Sequence, residues 1–184
     1  MDNSCNEKRR GGFDRRLDRL DAYIERRAGF EKRDIVRHRQ VFIEKLKITE
    51  QFLSMSEDQL YRMLLIASKV ELDKGDYIIN EGDAADCMYI LVDGLLRVEH
   101  YGKVIGAVKP IAFVGEVAPI TNNSRIATII ADSDCVLMRF SMDELTRLFE
   151  SDKDLYQRFL AGIITDLTRK VQASNETIAK TKSR

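Results

Sequence analysis

The sequence predicts an α+β protein in which an antiparallel β-sandwich or barrel lies between helical segments. Three observations predict this class. Short runs of β-branched and aromatic residues alternate with turn residues between positions 77 and 140. Apolar residues at helical spacing precede this region and follow it. The chain has 184 residues, 44% of them hydrophobic, which suffices for one domain with a substantial core and terminal extensions.

The N-terminal part of the chain contains an arginine-rich near-repeat. The pattern of residues 9–16 returns at residues 26–33, with Phe13 and Phe30 at equivalent positions. Residues 1–40 contain 12 Lys and Arg against 8 Asp and Glu, whereas the remainder contains 18 against 22. Because acidic side chains lie among the arginines, we expect residues 1–33 to form a solvated, partly disordered basic arm. Binding of nucleic acid, a dinucleotide or a partner protein by this arm stays open, although the slightly acidic body argues against a nucleic-acid partner.

Helices are expected on both sides of the predicted strands. Residues 34–67 carry apolar side chains at helical spacing, and Ser56 begins a capping-box pattern that ends at Gln59. Similar patterns begin at Ser141 and Ser151. We therefore expect N-terminal helices over residues 34–67 and C-terminal helices over residues 141–184.

The final helix carries two apolar lines. Its sequence has no proline and a single glycine, Gly162, so we expect one long helix. The first line should pack on the β domain, and the second is a heptad seam that favours a homodimer through this helix over ordinary core packing. The first line comprises Leu155, Phe159 and Ile163, and the seam comprises Leu160, Ile164, Leu167, Val171 and Ile178.

The β domain is expected over residues 68–140. Glycine, aspartate and asparagine residues separate its strand-like runs at the intervals typical of sandwiches and barrels. The predicted strands are Tyr77–Ile79, Met88–Val92, Leu95–Val98, Val104–Val108, Ile126–Ile130 and Cys135–Phe140.

The segment 113–128 carries the most specific chemistry of the chain. It places the carboxylate of Glu116 and the guanidinium of Arg125 nine positions apart around a short apolar turn. A buried arginine can bind a phosphate through two parallel charge-assisted hydrogen bonds. A carboxylate accepts hydrogen bonds from sugar hydroxyls, and Gly115 permits backbone N–H groups to approach an anion. Together these residues predict a site for a ribose that carries a phosphate, with a structural Glu–Arg ion pair as the alternative.

Residues from about Leu46 to Lys170 resemble the cyclic nucleotide-binding domain of catabolite-activator-type regulators, kinase regulatory subunits and nucleotide-gated channels. Several matches occur in the family's order, and the segment 115–128 resembles its phosphate-binding cassette. The resemblance implies a β-roll, a jelly-roll-like antiparallel barrel, between helices. The matching segments are 74–79, 81–83, 88–91, 93–94, Val98, 115–118 and 125–128.

The resemblance implies a role for each matched residue. Arg125 would pair with the cyclic phosphate, and Glu116 would accept a hydrogen bond from the ribose 2′-hydroxyl. Cassette N–H groups would support the phosphate, strand residues would line the base, and a residue of the final helix would close over it. Position alone suggests Tyr156 or Phe159 for this last role. The implied ligand-binding residues are Gly115, Glu116, Val117, Ala118, Arg125, Ile126, Ala127 and Thr128 in the cassette, and Val98, Ile105 and Gly106 on the strands.

The cassette departs from the family pattern at several positions. Ser124 stands where proline usually precedes the arginine, and Pro119 replaces a usual leucine. Ile111 and Ala112 stand in place of a common Gly-Asp pair. Ile126 follows the arginine where the family commonly has alanine in cAMP binders or threonine in cGMP binders. Because isoleucine has no hydroxyl for guanine, we expect cAMP rather than cGMP.

The residues indicate a binding protein rather than an enzyme. The two histidines, His38 and His100, lie far apart, and no nucleophile motif or metal-ligand spacing occurs. The odd, scattered cysteines, Cys5, Cys87 and Cys135, indicate reduced thiols and a cytoplasmic location, and no apolar run is long enough to span a membrane.

The sequence therefore predicts a non-enzymatic, metal-free sensor of a cyclic mononucleotide. It would signal to an unidentified effector protein through movement of the final helix. The alternative is a degenerate domain of the same fold that acts as a protein-interaction module without nucleotide.

Overall fold

The computed structural model describes residues 43–182, with side chains to residue 176 and at residue 179. The arm predicted over residues 1–33 therefore lies outside the described residues. A helical segment at 43–47 and a 3-10 turn at Glu50–Phe52 come first. The elements that follow are α1 (Glu57–Ile66), β1 (Ser68–Leu72), β2 (Tyr77–Ile79), β3 (Cys87–Asp93), β4 (Leu96–His100), β5 (Lys103–Val108), β6 (Ala112–Val114), α2 (Val117–Thr121), β7 (Thr128–Ala131), β8 (Cys135–Ser141), α3 (Met142–Ser151) and α4 (Lys153–Lys182).

The strands form two four-stranded antiparallel sheets. One has the order β1-β8-β3-β6 and the other β2-β7-β4-β5. With helices before and after the sheets, the predicted α+β class and β-roll are confirmed. The sequence patterns did not predict β1 or β6. In β1, Lys69 and Glu71 interrupt the apolar pattern, and β6 has only three residues.

Alternation along β3 connects two hydrophobic cores. Tyr89 and Leu91 pack in the interior of the roll, against residues of the second sheet. Met88 and Ile90 point to the opposite face, where the helices cover the sheet. Burial on both faces explains why the sequence of β3 is continuously apolar.

Two of the three predicted capping boxes differ in the structure. At Ser56 the box is confirmed, because its side chain accepts from the N–H of Gln59, whose own side chain accepts in return. The side chain of Ser141 makes no capping hydrogen bond, so that prediction is wrong. The box predicted at Ser151 is also wrong: Asp152 caps α4 by accepting from the N–H of Leu155 at 2.9 Å. The hydroxyl of Ser151 instead donates to the Leu148 carbonyl at the end of α3.

Helix α4 packs along the domain on its first apolar line. Leu155, Phe159 and Ile163 are buried in the core beneath the helices, as predicted. On the heptad seam, Ile164 and Val171 are 65% and 58% exposed. None of the described helices is long and apolar enough to span a membrane.

Candidate ligand-binding site

The cassette folds as a tight turn, a short helix and a loop between β6 and β7. Gly115 follows β6 with φ of +71°, Glu116 precedes α2, and Asn122 ends that helix with φ of +53°. The backbone N–H of Arg125 donates to the Asp83 carbonyl at 2.8 Å, and the Arg125 carbonyl accepts from the N–H of Gly82, also at 2.8 Å. This local geometry brings both predicted binding residues to one end of the roll.

The guanidinium of Arg125 is buried and held by backbone carbonyl groups. Arg125 is 5% exposed, and its Nη1 donates to the Gly115 oxygen at 2.6 Å. Its Nη2 donates to the Cys87 oxygen at 2.7 Å. A guanidinium has five N–H donors, more than these two contacts use. Arg125 is thus a fixed positive group that can accept a further anionic partner.

The carboxylate of Glu116 is bound by a lysine from helix α4. Glu116 is 3% exposed, and its Oε1 lies 2.8 Å from Nζ of Lys170. The same ammonium donates to the Phe113 carbonyl at 2.7 Å and lies 2.8 Å from Oδ2 of Asp166. The ion pair between Glu116 and Arg125 that the sequence left open is therefore replaced by a Glu116–Lys170 pair.

A buried polar network continues from Lys170 into the helices. Asp166 is fully buried, and its Oδ1 accepts from Arg169 at 2.6 Å and from Gln51 at 3.2 Å. Gln51 also donates to the Ile111 carbonyl, just before β6, at 2.7 Å. The network therefore connects the cassette to α4 and to the 3-10 turn.

An apolar cavity of about 160 Å³ lies beside both buried charges. Eight predicted binding residues line it: Val98, Gly115, Glu116, Val117, Ala118, Arg125, Ile126 and Ala127. The other lining residues are Ile79, Val108, Phe113, Val114, Ile129 and Lys170.

Three predicted binding residues do not line this cavity. Ile105 is 61% exposed on β5, and Gly106 lies next to it on the same strand. The hydroxyl of Thr128 accepts from the N–H of Glu81 at 3.0 Å. Their ligand contacts stay a prediction.

The helix residue at the cavity is not one that the sequence indicated. Phe159 is a core residue that packs edge-to-face against Phe113, and Tyr156 packs against Phe149, and neither lines the cavity. Lys170 lines it instead. In the sequence, a lysine on a long charged helix cannot be distinguished from the solvent-exposed lysines around it. Lys170 is also 54 positions away from Glu116. Only its contacts identify it.

The titratable groups of the site do not form a metal centre. Among the residues that the structure describes, no cluster of three or more His, Cys, Asp and Glu side chains could hold a metal ion. The chemistry of the cavity is that of a buried cation and a buried anion on apolar walls, which suits a small ligand with an acidic end and hydroxyl groups.

The roll, the cassette and the paired charges define a regulatory domain of the cyclic nucleotide-binding class. A family model described as "Cyclic nucleotide-binding domain" matches residues 69–152, and this part of the chain belongs to that family. The matched region contains the whole cassette and ends before most of α4, which includes Lys170.

Curated relatives share this region at moderate identity. The cAMP-dependent protein kinase type II regulatory subunit of Drosophila melanogaster is 30% identical over 119 residues, covering 65% of this chain and 30% of that protein. The Pycsar effector protein XpPycTIR of Xanthomonas perforans is 28% identical over 125 residues, covering 67% and 41%. The cGMP-dependent protein kinase 2 of Homo sapiens is 28% identical over 126 residues, covering 63% and 16%. The chain thus spans less than half the length of these relatives.

Solved structures share the fold. A cyclic nucleotide-binding domain from Methylobacillus flagellatus KT aligns with a TM-score of 0.70 and 19% identity, over 79% of this chain and 84% of that one. The regulatory domain of Toxoplasma gondii PKA, crystallised with cAMP, aligns with a TM-score of 0.54 and 26% identity, over 60% and 44%. The chain therefore also resembles in fold a domain that was crystallised with cAMP.

Proposed function

We propose that this protein is a cytoplasmic, non-enzymatic sensor that binds a cyclic mononucleotide beside Arg125. One observation carries the proposal: a buried guanidinium and a buried carboxylate face one apolar cavity. An apolar wall suits a purine, fixed N–H donors suit a cyclic phosphate, and a carboxylate suits ribose hydroxyls. Relatives named for cAMP and cGMP support this ligand class.

The base preference proposed is cAMP over cGMP. Ile126 lines the cavity and is 58% exposed, so its side chain can meet a bound base. It offers no hydroxyl for guanine. Replacement by threonine should raise affinity for cGMP relative to cAMP by about 2- to 10-fold, because one hydrogen bond contributes about 0.5–1.5 kcal/mol.

Isothermal titration of the whole chain with cAMP and with cGMP tests the proposal. We expect saturable binding that an Arg125→Lys variant loses, because lysine keeps the charge but lacks the planar donor fork. Circular dichroism of the variant checks that it stays folded. No heat of binding with either nucleotide at high micromolar concentration would overturn the proposal.

The alternative is a protein-interaction module without nucleotide. The cavity volume of about 160 Å³ favours it, because ligand pockets commonly measure about 300–1,000 Å³. Absence of binding in the titration, with the chain folded, would select this alternative.

We propose that nucleotide binding moves α4, and that an effector protein or a second copy of the chain binds the moved helix. The exposed side chains of Ile164 and Val171 support a helix-to-helix contact, because they share one heptad seam. Sedimentation of the chain and of an Ile164→Glu variant, with and without cAMP, tests the homodimer. If the chain is a monomer under all conditions, the homodimer is ruled out and an effector protein remains as the proposed binding partner of α4.

A further inference from the structure

Lys170 is the point at which α4 reaches the cavity. Every other residue that lines the cavity lies between positions 79 and 129, in the roll and its cassette. The Lys170 side chain is 31% exposed, and its ammonium contacts Glu116, Phe113 and Asp166. The carboxylate that would receive the ribose hydroxyl is therefore already bound by a residue of the same chain.

We propose that Lys170 is an internal competitor of the nucleotide, because its ammonium pairs with Glu116 and would yield this carboxylate to the ribose hydroxyl when a nucleotide binds. The inference rests on the proposed function, because it names the regulation of that same site.

The contacts permit this exchange without leaving a buried charge unpaired. Asp166 lies four residues before Lys170 on α4, so the ammonium keeps this anion when it leaves Glu116. Glu116 in turn gains a hydroxyl donor from the ligand. Uncompensated buried charges are strongly unfavourable, so an exchange in which both ions keep partners is the accessible one.

The small volume of the cavity supports such a movement. At about 160 Å³ it lies below the common range of about 300–1,000 Å³ for small-molecule pockets. Lysine has a flexible four-carbon stem, whereas the other walls belong to paired strands and the cassette. Displacing Lys170 is therefore the simplest way to admit a nucleotide.

Release of Lys170 also has a mechanical consequence. Its ammonium makes two contacts to the roll, to Glu116 and to the Phe113 carbonyl. From residue 171 to residue 176 every side chain of α4 is exposed. Loss of the lysine contacts would therefore loosen the distal part of α4, where the exposed Val171 lies on the proposed partner surface.

The test measures affinity for cAMP and 2′-deoxy-cAMP in the whole chain and in a Lys170→Met variant. Methionine keeps an unbranched apolar stem but has no ammonium. We expect cAMP affinity to rise about 10-fold, since a hydrogen-bonded charge no longer competes, and affinity for 2′-deoxy-cAMP to change much less. Lys153→Met, at the exposed start of α4, is the matched control and should bind both ligands as the parent does.

A second variant keeps the test decisive if Lys170→Met is poorly folded. Asp166→Asn removes the anion that would pair with the lysine after it leaves Glu116. We therefore expect this variant to bind cAMP more weakly than the parent, whereas Lys170→Met should bind it more tightly. Hydrogen exchange of residues 167–182 should increase when cAMP is added to the parent chain.

The outcomes separate the two proposals. If the parent binds no cyclic nucleotide, the proposed function fails and this inference with it. If the parent binds cAMP, and Lys170→Met binds it equally or more weakly, the function stands and the competitor role is overturned. An equal gain for 2′-deoxy-cAMP also overturns it, because the ribose hydroxyl would then not be the competing group.

Discussion

The carbonyl of Gly115 accepts a 2.6 Å hydrogen bond from Nη1 of Arg125, and the same nitrogen lies where a side chain on Gly115 would point. A Cβ built on Gly115 would be 2.8 Å from Nη1 and 2.6 Å from Cδ1 of Ile79. Glycine is therefore required twice at this position, by the φ of +71° and by the close approach of the arginine.

We expect Gly115→Ala to weaken both stability and nucleotide binding. Gly102 is the matched control, because it has the same φ of +71° but no atom of the described residues within 4 Å of the place that a Cβ would occupy. Its alanine variant therefore isolates backbone strain of about 1–2 kcal/mol. Gly115→Ala should cost about 1–3 kcal/mol more through steric crowding. Urea unfolding and cAMP titration measure the two effects, and equal losses in both variants would contradict the contact with Arg125.

Helix α4 approaches the 3-10 turn too closely for any side chain at Gly162. A Cβ there would lie 2.0 Å from the Gln51 carbonyl oxygen, and a backbone oxygen cannot rotate away. Glycine to alanine in an open helix stabilises by about 1 kcal/mol. At this position we expect a loss of about 1–3 kcal/mol instead, measured by urea unfolding.

The control for Gly162→Ala is the neighbouring exposed residue. Ala161→Gly should cost only the helix propensity, about 1 kcal/mol. A Gly162→Ala variant more stable than the parent chain would mean that α4 does not pack on the turn.

Asp152 should make the junction of α3 and α4 sensitive to acid. The backbone N–H of Leu155, and then the guanidinium of Arg62, hold the pKa of this carboxyl below its ordinary value of 3.8. A lowered pKa stabilises the fold above the ordinary value, and this stability is lost as the pH falls through the folded-state pKa.

We expect Asp152→Asn to lower the thermal midpoint at pH 7 less than Asp152→Ala, because asparagine can still cap α4. Both variants should lose less stability than the parent between pH 4 and pH 2. Thermal melts across this range check the prediction, and parallel curves for parent and variants would refute the role of Asp152.

The phenol of Tyr89 should make the fold sensitive to alkali. Burial inside the roll, and then its hydrogen bond with the Cys87 thiol at 3.3 Å, raise the pKa of Tyr89 to about 12. Because the folded state holds the proton more tightly, the associated stability is complete below about pH 10 and is lost as the pH rises to about 12. Urea unfolding at pH 8 and pH 11 should show that the free energy of unfolding falls less between these pH values for Tyr89→Phe than for the parent chain. An identical loss would remove Tyr89 as the cause.

Features that depend on nearby residues were predictable from the sequence. The cap at Ser56 needs only Gln59, three positions away. Glu116 and Arg125 reach one cavity because a glycine turn, a short helix and a loop join them within ten residues. The strands with continuous apolar runs could be found because burial on both faces leaves an uninterrupted apolar segment between turn residues.

Features that depend on distant partners could not be predicted. Strand β1 is stable because it pairs with β8 along its whole length, although its own sequence is mixed. Gly162 interrupts a helical pattern for a reason visible only where Gln51 crosses it. The exposed position of Ile105 on β5 likewise depends on how the second sheet ends.

The sequence alone determined the short antiparallel strands between helices, because burial periodicity specifies them, and its resemblance to the cyclic nucleotide-binding family gave the class of the protein, the roll and the position of the cassette. The tertiary structure alone decided which groups the buried charges bind. Glu116 faces a lysine 54 residues away, and Arg125 is held by the carbonyls of Gly115 and Cys87. Pairing between buried charges depends on the distances between residues in the folded structure, and these distances cannot be inferred from periodicity in the sequence.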